Sequence, residues 1–261
     1  MKMPIYQVDA FTRKIFHGNP AAVCFPEQWP DHSTMQRIAA ENNLSETAFL
    51  VPLDEGYHLR WFTPQIEVEL CGHATLASAH VLFNHMNYKD EKIAFQTKSG
   101  ILTVSRKDDL LCMDFPARFP QAVDVPQDLI DGLGVDPKLV LKDMNYLVVL
   151  DSEKTVRQIK PRFRILSRIT YAGFICTAPS DDPEYDFVSR YFAPYAGINE
   201  DPVTGSIHTT LTTYWSKKLN KKKLTARQIS KRGGVIYCEE KGDRTGISGH
   251  AVTFMQGEIE V

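Results

Sequence analysis

Residues 60–64 read Arg-Trp-Phe-Thr-Pro, and residues 190–194 repeat this pattern as Arg-Tyr-Phe-Ala-Pro. Each block has the aromatic content of a β-strand and ends in proline, which cannot continue a sheet ladder. Each block is also followed by a glycine within a stretch that lacks Asp, Glu, Lys and Arg, at residues 70–88 in the first copy and 202–216 in the second. This internal repeat predicts two similar lobes.

The two uncharged stretches predict the central element of each lobe. Residues 73–83 and 206–215 show no charged face, and a helix without one is usually buried on most sides. Asn84 marks the end of the first helix, and Lys217–Lys218 the end of the second. A strand-rich shell around one buried helix, built twice, fits this pattern and gives an α+β fold class.

The remaining elements are predicted from apolar periodicity. Short helices are expected at residues 31–41 and 129–134. Apolar or alternating runs predict strands at residues 5–11, 21–25, 47–51, 58–62, 101–104, 110–115, 146–150, 169–177 and 251–255. Three prolines between residues 116 and 126 place the lobe boundary there. The first lobe is therefore predicted at residues 1–117, joined by the last strand at 249–261, and the second lobe at 118–248.

Composition excludes several classes of function. The 261 residues carry a net charge of −2, so no nucleic-acid partner is expected. The basic run at residues 217–223 is interpreted as a solvated helix end and the turn after it. The five cysteines form no C-x-x-C pair and fit reduced thiols in the cytoplasm. A signal-peptide pattern and long apolar runs are absent, so no membrane partner is expected.

Gly72 and Gly205 lie where the two central helices are predicted to begin. Helix N-termini attract carboxylates and phosphates through free N–H groups and a partial positive charge. Glycine also lets a ligand approach the backbone closely. These positions, with Ser206, are predicted anion sites.

Single residues near these sites have plain alternatives. Glu46 precedes an apolar strand, where burial could suit a general base, but a solvent-facing strand residue is the simpler interpretation. His73 alone is most often a packed histidine, Asp201 a turn residue and Cys71 a small buried hydrophobe. The spacing of Cys71, His73, His80 and His85 matches no zinc pattern, so no metal is predicted.

Five motifs in order make the sequence similar to the phenazine-biosynthesis PhzF-like family. They are Phe16-His-Gly-Asn-Pro-Ala-Ala-Val23, Asn43-Leu-Ser-Glu-Thr-Ala-Phe49, Phe62-Thr-Pro64, Cys71-Gly-His-Ala-Thr75 and Glu200-Asp-Pro-Val-Thr-Gly-Ser206. The resemblance implies the diaminopimelate epimerase-like fold, with two similar lobes, each a rolled sheet around a central helix, and an active site between them. It also implies homodimers that need no metal or organic cofactor.

The resemblance implies roles for individual residues. Glu46 matches the proton-shuttling glutamate of the family, and His73 and Asp201 match two further site residues. Gly72, Gly205 and Ser206 match positions that hold the substrate carboxylate, and Ser45, beside Glu46, is predicted to bind substrate too. Specificity is expected from loops near Tyr57, Tyr171 and Tyr195.

The function expected is a cofactor-independent isomerase that shifts a double bond in a small unsaturated carboxylic acid, with Glu46 as base and acid. Two alternatives stay open: an amino-acid racemase or epimerase, and a non-catalytic binding protein of the same fold. Related epimerases use two cysteines, and here Cys71 has Thr204 as its counterpart, which disfavours a two-thiol racemase. In the phenazine enzyme the matching histidine is followed by proline, whereas here His73 is followed by Ala74. The resemblance therefore does not imply phenazine synthesis.

Overall fold

The computed structural model describes residues 2–170 and 172–261. The chain forms two compact units: unit 1 comprises Met1–Asp114 with Ser248–Val261, and unit 2 comprises Phe115–Ile247. The sequence placed these divisions after residues 117 and 248. No helix in the described part of the chain is long and apolar enough to cross a membrane.

Unit 1 is a sheet around one buried helix. Its helices are α1 (His32–Asn42) and α2 (Gly72–His85). Its strands are β1 (Lys2–Ala10), β2 (Asn19–Cys24), β3 (Glu46–Pro52), β4 (Tyr57–Phe62), β5 (Glu67–Val68), β6 (Lys92–Thr97), β7 (Gly100–Lys107), β8 (Leu110–Pro116) and the last strand β18 (Ala251–Glu260). Strand β1 pairs antiparallel with β18 and β2, whereas β2 pairs with β3, and β4 with β6, in parallel. Helix α2 buries 11 of its 14 residues, as its lack of a charged face predicts.

Unit 2 repeats this order of pairings. Its helices are α3 (Gln127–Leu133), α4 (Glu153–Gln158), α5 (Phe163–Leu166) and α6 (His208–Leu219). Its strands are β9 (Gln121–Ala122), β10 (Leu139–Lys142), β11 (Tyr146–Val149), β12 (Phe174–Pro179), β13 (Phe187–Ala193), β14 (Ile198–Asp201), β15 (Lys223–Gln228), β16 (Gly234–Lys241) and β17 (Arg244–Gly249). Strand β11 pairs with β12, and β13 with β15, in parallel. The predicted α+β fold class is confirmed.

The repeated arginine forms the same ion pair in both units. Arg60 donates two hydrogen bonds to Glu67, of 2.7 and 2.9 Å. Arg190 donates two to Glu200, of 2.7 and 3.0 Å. Such two-point pairs fix geometry as well as adding attraction. In each unit the pair joins a long strand to the short strand that precedes the central helix.

Two elements begin at least two residues later than predicted. Helix α6 begins at His208, not at Ser206, because the hydrogen bonds from the amides of residues 208, 209 and 210 reach back only three residues, which makes a tight turn over 205–207. The strand predicted at 169–177 begins at Phe174, because the amide of Ile169 bonds back to Leu166 in a turn after α5. Tyr171 lies outside the described residues.

Candidate active site

Glu46 is the first residue of β3, a central strand of unit 1. Helix α1 is followed by its capping residue Asn43, which takes a left-handed conformation with φ of 48° and turns the chain toward this strand. The parallel pairing with β2 places Glu46 beside Ala21. Its side chain is only 12% exposed, so the interpretation as a solvent-facing residue is wrong. Ser45 lies partly buried just before it.

His73 lies in the first turn of α2 and contacts Glu46. Its ring Nε2 is 3.0 Å from Glu46 Oε2, and its side chain is 6% exposed. Gly72 opens the same helix, and the Cys71 side chain makes no capping hydrogen bond to it. The structure therefore brings together Glu46, His73 and Gly72 within unit 1.

The other ring nitrogen of His73 faces two further side chains. Its Nδ1 is 3.5 Å from Cys71 Sγ and 3.2 Å from the amide nitrogen of Asn19. A half-turn of that amide would present its oxygen instead, so Asn19 can serve either protonation state of the ring. Asn19 was not among the predicted site residues, although it lies within the first of the family motifs.

The charges of this group follow from its burial and its neighbours. Burial alone would lower the pKa of His73, but Cys71 and the Glu46 carboxylate raise it well above the usual value. Burial, and then Glu46, raise the pKa of the Cys71 thiol. At neutral pH we therefore assign a His73 imidazolium that faces the Glu46 carboxylate.

Glu46, Cys71 and His73 are also the types of residue that bind metals. One potential ligand atom from each lies within 4.8 Å of the others. A tetrahedral zinc ion with bonds of about 2.0 to 2.3 Å needs its ligand atoms at roughly 3.3 to 3.8 Å from one another. Here the closest contacts of Glu46 and Cys71 use different nitrogens of His73. Glu46 and Cys71 thus lie on opposite sides of the His73 imidazole ring and do not form a preformed ion site with it.

Asp201 ends β14 in unit 2 and is buried, with 7% exposure. Its carboxylate accepts a hydrogen bond from the Thr204 hydroxyl. Gln228 holds both residues, since its amide nitrogen donates to the Asp201 carbonyl at 2.8 Å and its oxygen accepts from the Thr204 amide at 2.9 Å. Gly205 and Ser206 follow in the turn before α6. No sequence signal selected Gln228.

Of the residues predicted to lie near specificity loops, Tyr57 belongs to unit 1 and Tyr195 to unit 2. Tyr57 and Tyr88 line a cavity of about 480 Å³ in unit 1, with ring centroids 6.2 Å apart. Tyr195 is exposed in the 3₁₀ turn Pro194–Ala196 of unit 2. Tyr171 falls outside the residues that the structure describes.

Comparisons with known proteins define the family. Residues 8–257 match the family described as phenazine biosynthesis-like protein. The sequence is 49% identical to an uncharacterized isomerase of Halalkalibacterium halodurans, over 99% of each chain. A crystal structure of a phenazine biosynthesis protein of the PhzF family from Enterococcus faecalis has a TM-score of 0.97, 45% identity and full coverage of both chains. The chain therefore belongs to the PhzF-like family, and the predicted membership is confirmed.

A more distant structure extends the likeness of the fold alone. A probable proline racemase from Agrobacterium radiobacter has a TM-score of 0.64 at 11% identity, covering 99% of this chain and 92% of that one. The predicted diaminopimelate epimerase-like fold class agrees with both likenesses.

Proposed function

We propose that this protein is an isomerase that moves a proton, and with it a double bond, in a small unsaturated carboxylic acid. The observation that carries the proposal is the buried contact of 3.0 Å between Glu46 Oε2 and His73 Nε2. A carboxylate that is nearly shielded from water and faces an imidazolium suits proton transfer at carbon. The isomerase named among the relatives supports the same class of reaction.

The reaction balances without a redox partner. The Glu46 carboxylate removes a proton from carbon, and the electron pair of that C–H bond forms a new double bond to the next carbon. The electrons of the original double bond take the proton back from Glu46 at the far carbon. One carboxylate acts as base and then as acid, so atoms and electrons are conserved, and the residues assigned here require no cofactor.

His73 has a distinct task in this scheme. Its positive charge favours the negative charge that builds up on the substrate after proton removal. The N-terminus of α2 at Gly72 would bind the substrate carboxylate through backbone N–H groups. Ser45 is the proposed polar neighbour of that substrate.

The proposed roles of the residues in unit 2 rest on the family resemblance. Asp201 would orient a polar group of the substrate, and Gly205 and Ser206 would supply backbone N–H groups to a carboxylate. The start of α6 at His208 leaves the amides of residues 205–207 in the first tight turn, which suits this task. The proposal includes a cytoplasmic homodimer, in line with five free cysteines.

Proton exchange measured by NMR tests the function. Wild-type protein and Glu46→Gln are incubated in heavy water with a panel of small unsaturated carboxylic acids and amino acids, including crotonate and itaconate. We expect carbon-bound deuterium with the wild type, and a rate lower by about 100-fold or more with Glu46→Gln, because the amide cannot take up a proton.

The matched control is Glu41→Gln, since Glu41 is an exposed glutamate at the end of α1. It should exchange like the wild type. Equal exchange in Glu46→Gln and the wild type would refute the assignment of Glu46 and make Cys71 the candidate base. Deuterium at the α-carbon of an amino acid, lost in Cys71→Ala, would instead favour the racemase.

A further inference from the structure

The repeat allows each position of unit 1 to be matched with one of unit 2. The ion pairs of Arg60 and Arg190 set the alignment, which matches Trp61 with Tyr191. In unit 1, Phe62, which follows Trp61, pairs with the residue after Glu46. In unit 2, Phe192, which follows Tyr191, pairs with the residue after Gly173. Gly173 is therefore the counterpart of Glu46.

The space above Gly173 is occupied by the Tyr191 phenol. A Cβ added to Gly173 would lie 2.3 Å from the Tyr191 hydroxyl oxygen and 2.6 Å from Cζ. Glycine leaves room for this ring, which an added side chain would displace. Unit 2 thus places a phenol hydroxyl within 2.3 Å of the position that corresponds to the first side-chain carbon of Glu46.

Asp201 lies beside Tyr191 on the sheet. The two residues are directly opposed in the antiparallel pair of β13 and β14, so their side chains project from the same face. Burial, and then the Asp201 charge, raise the pKa of Tyr191 to about 12. The phenol therefore keeps its proton at neutral pH, and unit 2 presents a hydrogen-bond donor next to an acceptor.

The Tyr191 hydroxyl is weakly engaged by the protein. Among the described residues it donates one hydrogen bond, to the Asn145 side-chain oxygen at 3.2 Å, whereas hydroxyl donors usually lie about 2.7 to 2.8 Å from an oxygen. The same Asn145 oxygen accepts the Gly173 amide at 2.8 Å. Because Tyr191 is only partly buried, a ligand oxygen can compete for its proton.

We propose that Tyr191 contacts the ligand as a hydrogen-bond donor. Its hydroxyl donates to a carboxylate or carbonyl oxygen of the bound acid, and Asp201 orients a polar group of the same acid. This role rests on the proposed function and adds a donor to it. A neutral donor aimed at an oxygen that gains negative charge stabilises the transition state more than the ground state. The substrate class becomes a small acid with a hydrogen-bond-donating hydroxyl or amino group for Asp201.

Binding is tested first, without turnover. Protein with ¹³Cζ-labelled tyrosine is titrated up to tens of millimolar with serine, allylglycine and 4-hydroxycrotonate, which carry an amino or hydroxyl group, and with crotonate, which carries neither. Tyr191→Phe assigns the resonance. We expect the Tyr191 Cζ signal to move on binding, and the binding of the responding acid to weaken several-fold in Tyr191→Phe. Tyr237→Phe, an exposed tyrosine of unit 2, should bind like the wild type.

An unmoved Tyr191 signal with every acid would overturn the proposal, as would binding unchanged in Tyr191→Phe. If an acid exchanges deuterium, we expect Tyr191→Phe to slow exchange by about 10- to 100-fold. Gly173→Ala, which displaces the ring without removing the hydroxyl, should have a similar effect. A moved signal without deuterium exchange would refute the proposed reaction but keep Tyr191 as a binding residue.

Discussion

Replacing Glu67 by glutamine should measure the energetic value of the ion pair that leads into α2. The Glu67 side chain is 8% exposed and accepts hydrogen bonds from Arg60 at 2.7 and 2.9 Å and from Lys98 at 2.7 Å. The hydrogen bond from Arg60, ahead of that from Lys98, lowers the pKa of Glu67 from 4.5 to about 2. One pKa unit corresponds to about 1.4 kcal/mol of preference for the charged form.

This shift sets an upper limit of about 3 kcal/mol on what the ionised Glu67 contributes to the free energy of unfolding. Lys98 is half exposed, so water reduces its share, and we expect Glu67→Gln to cost about 2 kcal/mol at pH 7. The folded pKa lies below the unfolded one, so this stabilisation is present above about pH 4.5 and is lost as the pH falls toward 2.

Urea unfolding at pH 7 and pH 3, followed by tryptophan fluorescence, measures this difference. Trp29 is a suitable probe because the Arg60 guanidinium lies 5.3 Å from its ring centroid. The control is Glu258→Gln, whose pair with Lys2 is exposed on both sides and should contribute under about 1 kcal/mol. A loss no larger than that of the control, or one that does not shrink at pH 3, would refute the reasoning.

Three further predictions concern other sites. Histidine NMR should show His73 protonated at pH 7.5, with a lower pKa in Glu46→Gln. His80 and His208 should stay neutral at pH 5.5, because burial lowers the pKa of each to about 4. A neutral His73 at pH 7.5 would contradict the assigned ion pair. Gly132→Ala should lower the free energy of unfolding by about 1 to 3 kcal/mol in thermal or urea unfolding, because the new Cβ would lie 2.4 Å from Leu166 Cδ2. Gly134→Ser tests backbone strain alone, because this position has open space around it but a φ of 66°. Mass spectrometry after brief iodoacetamide treatment should find Cys112 labelled first, since the other four cysteines are buried and the pKa of each is raised; early labelling of Cys71 would refute its shielding.

The sequence predicted the fold where one physical signal dominated. The uncharged stretches located both central helices because burial on all sides leaves no place for charge. Strand β15 was missed because its first residue, Lys223, belongs to a basic run that was interpreted as a turn, although Leu224, Ala226 and Gln228 alternate toward the interior. Propensity and charge compete over such short segments, and only pairing decides between them.

The candidate site was predictable in part. Glu46 and His73 were selected through the family motifs, since nothing in their separation of 27 residues indicates contact. Asn19, Gln228 and Tyr191 were not selected as site residues, because polar uncharged side chains carry no periodic signal. Their relevance depends on strand register, such as the pairing that sets Tyr191 opposite Asp201.

The burial of α2 has a consequence for motion. A helix with 11 of 14 residues buried cannot unfold alone without exposing the core of its unit, so its amide protons should exchange with solvent among the slowest in the chain. His73 is anchored to this helix and therefore keeps its position through ordinary thermal fluctuations. The conformational entropy of the His73 ring is lost when the protein folds and not when a ligand binds, so the imidazole is already in place for the ligand.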